Sequence, residues 1–401
     1  MRVAGIIAEY NPFHNGHQLH VEKTRALSGC DYVIAVMSGA LTQRGETALC
    51  DKWLRARMAL NAGVDLVLEL PALFAVRPAP QFALGGVSLL GALNTVDVLS
   101  FGCEMEDITQ LTRMAKCLQA EPPELTAGIR AGLSQGLSHA KARGMALAKM
   151  LGVSPECVNA PNTVLALEYM RANAQLIEPM EILPVKRDGA YHSTELAPIT
   201  SASAVRLGVY KDQWDEVSKS IPAFSLDTIK EQHAQSGISC MEALDDILLY
   251  RLRNLTAEQL AQLPDVSEGL EMRVKRYADT AISRQDLLEK IKCKRYTMAR
   301  IARILMYAML GIDRYLCDQY GNGAPYARVL GFRDSARPLL RYLNANAEIP
   351  IVSDTAELKA DACFALEKRA TDLWGLSTKN EAYRIAGRDF TEKLWIEMEK
   401  P

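Results

Sequence analysis

Buried-strand runs and helical periodicities alternate along the first hundred residues. Val3 to Ala8 is a short unbroken apolar run, and from His17 apolar positions recur at helical spacing through Leu19, Val21 and Leu27 to a stop at Gly29. Asp31 to Met37 repeats the strand signal. After a polar loop, Asp51 opens a helix carrying Trp53, Leu54, Met58 and Leu60 and closing at Gly63. Asp65 to Leu70 reads as a third strand, Pro80 to Leu93 as a helix, and Val96 to Phe101 as a fourth strand ending at Gly102. Residues from about 106 to 151 are helical in period, a further helix follows Pro161-Asn162, and Met180 to Lys186 returns as a strand. This alternation predicts an α/β fold with a doubly wound, Rossmann-like parallel sheet and right-handed crossovers.

Beyond Arg206 the pattern changes to helices, from Trp214 to about Ser267 and from Glu268 to Leu310, with few strand signals. A boundary near residues 208 to 222 gives a nucleotide-binding domain over 1–210 and a mainly helical domain over 211–401. No internal repeat or low-complexity tract is visible.

Composition narrows the class. A chain of 401 residues with 49% hydrophobic and 23% charged residues is expected to be globular and folded throughout. A formal charge of -2 means that any nucleic-acid contact comes from a local patch. Nine cysteines, an odd number without a C-x-x-C pair, fit neither a disulfide framework nor a zinc site, and point to a reducing cytoplasm. The apolar N-terminal run is too short for a signal peptide. Val64 to Val76, interrupted by Asp65, Glu69 and Pro71, falls far short of a membrane span.

Three of the six histidines, His14, His17 and His20, lie between the first strand and its helix. In an open parallel sheet ligands sit beyond the carboxyl ends of strands, where a helix N-terminus offers free N–H groups to phosphate. Gly16 allows phosphate close to the backbone. Imidazoles on either side of it can donate hydrogen bonds to a triphosphate whose charge grows as pyrophosphate leaves. The competing structural reading makes these histidines capping and turn residues. Zinc is a second alternative, but only Glu9 lies near enough in sequence to complete a ligand set, so no metal site is assigned.

The stretch Gly5 to His17, GIIAEYNPFHNGH, resembles the H-x-G-H signature of the nucleotidylyltransferase superfamily. Ser38-Gly39, Gln43-Arg44-Gly45-Glu46, Asp51-Lys52-Trp53, Phe101-Gly102, Pro161-Asn162, Lys186-Arg187 and the run Pro325-Tyr326 with Arg328 to Phe332 extend the match. Together they resemble the bacterial tRNA(Met) cytidine acetate ligases over nearly the whole chain. That resemblance implies activation of acetate with ATP to acetyl-adenylate and pyrophosphate, then transfer of acetyl to N4 of the wobble cytidine of elongator tRNA(Met). It implies catalytic roles for His14, His17 and Arg187. The implied ATP site comprises Ile7, Ala8, Glu9, Tyr10, Asn11, Pro12, Phe13, His14, Asn15, Gly16, His17, Gln18, Leu19 and His20, with Gly102, Asn162, Arg187, Ser201 and Ser203. Magnesium is compatible with any ATP reaction, yet no carboxylate cluster designates a site for it.

Each position also has a plainer reading. Arg44 reaches phosphate or sits in a solvated loop, Asp51 is an N-cap, Lys52 sees the anion or belongs to that helix start, and Asn162 and Ser201 cap helices or bind nucleotide. Lys186-Arg187-Asp188-Gly189 puts Arg187 at the carboxyl edge of the sheet, and Thr200 to Arg206 resembles a phosphate loop. In the second domain Lys290, Lys292, Lys294, Arg295, Arg300 and Arg303 cluster around Tyr296, a helix face suited to tRNA phosphates or merely a solvated one; Arg328 could extend it. Two alternatives stay open: a nucleotidylyltransferase acting on a small phosphorylated acceptor, and an RNA-binding protein with a retired nucleotide site. The sequence sets no oligomeric state.

Overall fold

The computed structural model describes residues 1–105, 107–187, 197 and 200–398. Asp188 and Gly189 lie outside them. The first half runs β1 (Val3–Ala8), α1 (Asn15–Ser28), β2 (Tyr32–Ser38), α2 (Lys52–Asn61), β3 (Leu66–Leu70), α3 (Ala72–Ala75), α4 (Ala79–Ala92) and β4 (Val98–Cys103). It continues through α5 (Ile108–Ala120), α6 (Pro123–Ser134), α7 (His139–Leu151), α8 (Pro155–Asn159), α9 (Pro161–Asn173), β5 (Glu181–Lys186) and α10 (Ala202–Tyr210).

Five strands lie parallel in the order β5-β4-β1-β2-β3. The central strands β1 and β2 are apolar along almost their whole length because helices cover both faces, whereas β4 carries Ser100 and β3 carries Glu69. On β1, Ile6 packs with one layer, which includes Val21 and Trp53, and Ile7 with the other, which includes Phe82 and Tyr169. The predicted helix ends hold: at the C-terminus of α1, Gly29 adopts φ 62° and sends its N–H to Arg25 O, and at the start of α2 the Asp51 carboxylate accepts from Trp53 N at 2.8 Å.

The chain then forms a helical module, α11 (Trp214–Ser218), α12 (Ala223–Ala234), α13 (Asp245–Asn254), α14 (Ala257–Ala261), α15 (Leu270–Ala278), α16 (Arg284–Ile291), α17 (Met298–Leu310) and α18 (Arg314–Gln319). Residue 210 is nonetheless not a spatial boundary. After α18, β6 (Ala327–Arg333) returns to the sheet and pairs antiparallel with β3. Its outer edge takes β7 (Ile351–Val352), reached through α19 (Arg337–Asn346), and β8 (Trp395–Glu397), reached through α20 (Ala362–Leu376) and α21 (Arg388–Thr391). The pattern did not mark β6 as a strand because it carries Arg328 and Arg333 with Gly331 between them.

Arg328 is buried because its partners are buried with it. Its Nη1 lies 2.8 Å from Glu69 Oε2 and also pairs with Asp389, while Lys52 Nζ lies 2.6 Å from Glu69 and 2.7 Å from Asp389. This ionic knot ties α2, β3, β6 and α21 together; removing one partner would leave an uncompensated buried charge. It also corrects two expectations: Lys52 does not reach an anion in the cleft, and Arg328 does not extend a basic surface.

Candidate active site at the carboxyl ends of the strands

After β1 the chain turns through Glu9 to Phe13 and enters α1 at His14. Asn11 secures the turn, its Oδ1 accepting from Leu49 N at 2.7 Å and its carbonyl from Arg206 Nη1 at 2.8 Å. Tyr10 and Phe13 are buried and pack against the His17 ring, with centroids 5.0 and 5.5 Å away.

His14 is the N-cap of α1. Its Nδ1 accepts from Gly16 N at 3.1 Å, and His17 Nδ1 accepts from His14 N at 3.3 Å, closing a reciprocal capping box made of two imidazoles. The rings stack 3.7 Å apart at 18°. With each Nδ1 occupied as an acceptor, the ring proton belongs on Nε2, and both imidazoles are N–H donors. Burial, reinforced by the Arg187 charge, pushes the His14 pKa down to about 3, and burial with the His14 and Arg187 charges holds His17 well below its usual value. The capping reading holds for Nδ1 of both rings, which leaves Nε2–H of each as the remaining ring donor. His20, held by Ser100 Oγ at 3.0 Å, is likewise pushed down to about 3 by burial and Arg187.

The histidines form the floor of a cleft. Of the expected nucleotide-site residues, Ile7, Ala8, Glu9, Tyr10, Asn11, His14, His17, His20, Gly102, Asn162, Arg187, Ser201 and Ser203 line it. Gly16 and Leu19 line an adjoining recess with His17, His20, Gly102 and Arg187. Pro12, Phe13, Asn15 and Gln18 line neither. Phe13 is core, Asn15 Nδ2 donates to Lys219 O at 3.1 Å, and Gln18 bonds Glu22 at 2.9 Å.

On the β4–β5 side, a Cβ on Gly102 would stand 3.0 Å from Cγ and Cδ of Arg187, so the missing side chain is space for the arginine. Arg187 Nη1 reaches Asn162 Oδ1 at 3.5 Å. Asn162 is not the cap of α9; its Nδ2 donates to Glu104 Oε1 at 2.7 Å, which turns its oxygen toward Arg187. Ser201 does cap α10, its Oγ accepting from Ala204 N, and Ser203 Oγ accepts from Arg206 Nη2 at 3.1 Å.

The β2 side supplies Thr42, Gln43 and the expected Arg44. Beneath it is Arg55, wholly buried, which donates to the carbonyls of Cys50 at 3.0 Å, Glu9 at 2.7 Å and Ser38 at 3.0 Å, and to that of Gly39. One guanidinium thus joins the ends of β1 and β2. The sequence reading missed Arg55, Glu104 and the packing of Phe82, Leu165 and Tyr169 on the cleft wall. The one available signal was a second basic residue three positions after Lys52 on a helix face otherwise apolar. Among the described residues no group of three or more His, Cys, Asp or Glu side chains could hold a metal.

The basic cluster is not one continuous face. Arg300 binds Asp265 O and Ser267 Oγ, Arg303 approaches Asp265 at 3.8 Å, and Lys290 pairs with Asp286 at 2.7 Å. Lys292, Lys294 and Arg295 occupy an exposed loop, with Arg295 3.5 Å from Glu268. The module meets the cleft rim where α17 packs against Gly45 and Arg284 donates to Gly45 O at 3.3 Å.

A sheet with a histidine-capped helix at its mouth is what a known class presents: the model of a family described as HIGH Nucleotidyl Transferase matches residues 1–389. The tRNA(Met) cytidine acetate ligase of Thermoanaerobacter sp. (strain X514) is 37% identical over 403 residues, covering 98% of this chain and 99% of its own. That of Clostridium kluyveri (strain NBRC 12016) is 39% identical over 397 residues, covering 96% and 97%. A crystal structure of Thermotoga maritima TmcAL bound with alpha-thio ATP superposes with a TM-score of 0.91 at 32% identity, covering 100% of both chains. The chain belongs to the HIGH nucleotidyl transferases and, within them, to the tRNA(Met) cytidine acetate ligase family. Among the described residues no helix is long and apolar enough to cross a membrane.

Proposed function

We propose that this chain activates acetate with ATP, releasing pyrophosphate, and passes the acetyl group to N4 of the wobble cytidine of elongator tRNA(Met), giving N4-acetylcytidine and AMP. The observation that carries this reading is the stacked pair of neutral imidazoles, each with Nδ1 committed to the backbone and Nε2–H left as a donor.

Acetate arrives ionised, so its oxygen attacks the α-phosphate without a base. Catalysis then consists of positioning and of stabilising charge on the leaving pyrophosphate. Uncharged, pre-oriented donors suit that task because they need not reorganise as charge develops. His14 and His17 supply them, and Arg187 is the phosphate clamp, steadied by Asn162; α1 adds the positive end of its dipole, but not the free amides expected there, since those of Asn15, Gly16 and His17 are taken by Ser220 O and by His14. Magnesium, where it takes part, comes in on the phosphates of ATP. Lys292, Lys294 and Arg295 are the exposed cations assigned to the tRNA backbone, and the protein works in the cytoplasm, where that tRNA is found.

The test is ATP–pyrophosphate exchange with acetate, propionate, formate or no acid, followed by mass analysis of elongator tRNA(Met) incubated with the protein. Acetate-dependent exchange and one acetyl group on the wobble cytidine are expected. AMP transfer to a small phosphorylated acceptor, with no exchange for any acid with or without tRNA, would overturn the reading.

A further inference from the structure

Acetylating a cytosine N4 releases a proton, and the exocyclic amine is a poor nucleophile until that proton has somewhere to go. The histidines do not offer the place. The Nδ1 atoms of His14 and His17 are occupied as acceptors, so both rings face a ligand with N–H, and His20 spends Nε2 on Ser100. Arg44, Arg187 and Arg206 on the cleft wall are permanent cations. The Tyr169 phenol is held protonated far above neutral pH by burial and by the nearby Glu9 charge. Among the described residues that line the cleft, Glu9 is the one carboxylate.

Glu9 is also held as a reacting group must be. It sits directly after β1, on the turn that delivers His14. Its Oε1 accepts from Gln43 N at 2.7 Å, and its backbone carbonyl accepts from Arg55 Nη1 at 2.7 Å, so side chain and main chain are fixed by separate elements. A carboxylate has lone pairs for several donors, and this anchoring leaves Oε2 able to take a proton. The loop that supplies Gln43 is the one against which α17 of the helical module packs. Glu9 therefore lies between the nucleotide floor and the side from which the module would present an RNA.

We propose that Glu9 is the general base of acetyl transfer. As the N4 lone pair forms a bond to the acetyl carbonyl carbon, one N4 proton passes to the Glu9 carboxylate. The bond from that carbon to the phosphate-bridging oxygen breaks, its electron pair leaving on AMP. The proton is lost to solvent once AMP departs. This step rests on the function proposed above and gives its second half-reaction a proton acceptor that the first does not need, since acetate brings no proton to remove.

Glu9→Gln keeps the size and can still accept from Gln43 N. Two rates are compared: acetate-dependent pyrophosphate exchange, and single-turnover transfer from preformed enzyme-bound acetyl-adenylate to a tRNA(Met) transcript. Transfer is expected to fall about 10²- to 10⁴-fold beyond any change in exchange, the usual worth of a positioned base. Hydroxylamine, a stronger nucleophile, should still capture the acetyl group as acetohydroxamate. Glu9→Asp, which keeps the charge but withdraws it by one methylene, should give an intermediate transfer rate and serves alone if the amide variant does not fold. Transfer at the wild-type rate in Glu9→Gln, or equal losses of exchange and transfer in the folded variants, overturns the proposal. Wild-type protein that exchanges pyrophosphate but never acetylates the tRNA would instead refute the function reading, and this step with it.

Discussion

Replacing His14 by Asn separates the two tasks of that imidazole. Asn is a strong N-cap, and its Oδ1 can take over from Nδ1 in accepting Gly16 N–H, but it does not titrate. His14 is 1% exposed, and burial lowers its pKa to about 3, whereas in the unfolded chain it titrates near about 6.5. A pKa depressed by folding means that the unfolded state binds the proton first. The stability this neutral ring contributes is complete above the unfolded pKa and is lost as pH falls toward the folded one, at about 1.4 kcal/mol per unit. From pH 7 to pH 5 that is a loss of about 2 kcal/mol in the wild type, which the Asn variant does not share. Urea denaturation at the two pH values measures it, with His20 contributing alike to both proteins and His17 losing only the part of its depression that the His14 charge supplies. Exchange activity at pH 7 should meanwhile fall about 10²- to 10³-fold, because the Nε2–H donor is gone. Identical pH dependence in the two proteins would refute the buried neutral imidazole. Normal exchange in the folded variant would refute its role as a donor.

Two further outcomes are expected. Gly102→Ala places a methyl group 3.0 Å from Arg187 Cγ and Cδ, so the clamp must shift; the KM for ATP should rise about tenfold, worth about 1.4 kcal/mol, with little change in thermal stability, and an unaltered KM would remove Arg187 from the phosphate site. Arg295→Glu should weaken tRNA binding and lower the slope of log affinity against log salt by about 1 while sparing acetate activation, measured by filter binding at several salt concentrations; an unchanged slope would place the RNA elsewhere.

The resemblance located the histidine motif, and the spacing of strand and helix around it gave the reason for its position. What it could not supply was the state of the rings. Whether His14 is cation, donor or acceptor depends on the Gly16 amide, on burial and on Arg187, which is far away in sequence. The basic cluster shows the same limit in reverse. Six cations close in sequence looked like one surface, yet Arg300 and Arg303 fasten the Asp265–Ser267 turn, and the loop at Lys292, Lys294 and Arg295 carries the exposed charge.

The sequence by itself determined what local forces decide. The central strands β1 and β2 are written as nearly unbroken apolar runs because both their faces are covered, and Asp51 and Gly29 mark helix ends because a cap is a contact between near neighbours. Only the tertiary structure decided what depends on partners distant in the chain. β6, with an arginine near each end, becomes a sheet strand because Glu69 and Asp389 neutralise Arg328, and Asn162 faces Arg187 because Glu104 takes its amide. Arg55 is buried because four carbonyls from the ends of two strands and the start of its helix converge on it. A charged side chain read in sequence order looks like surface; its burial is settled only when the fold brings the opposite charge or the acceptors to it.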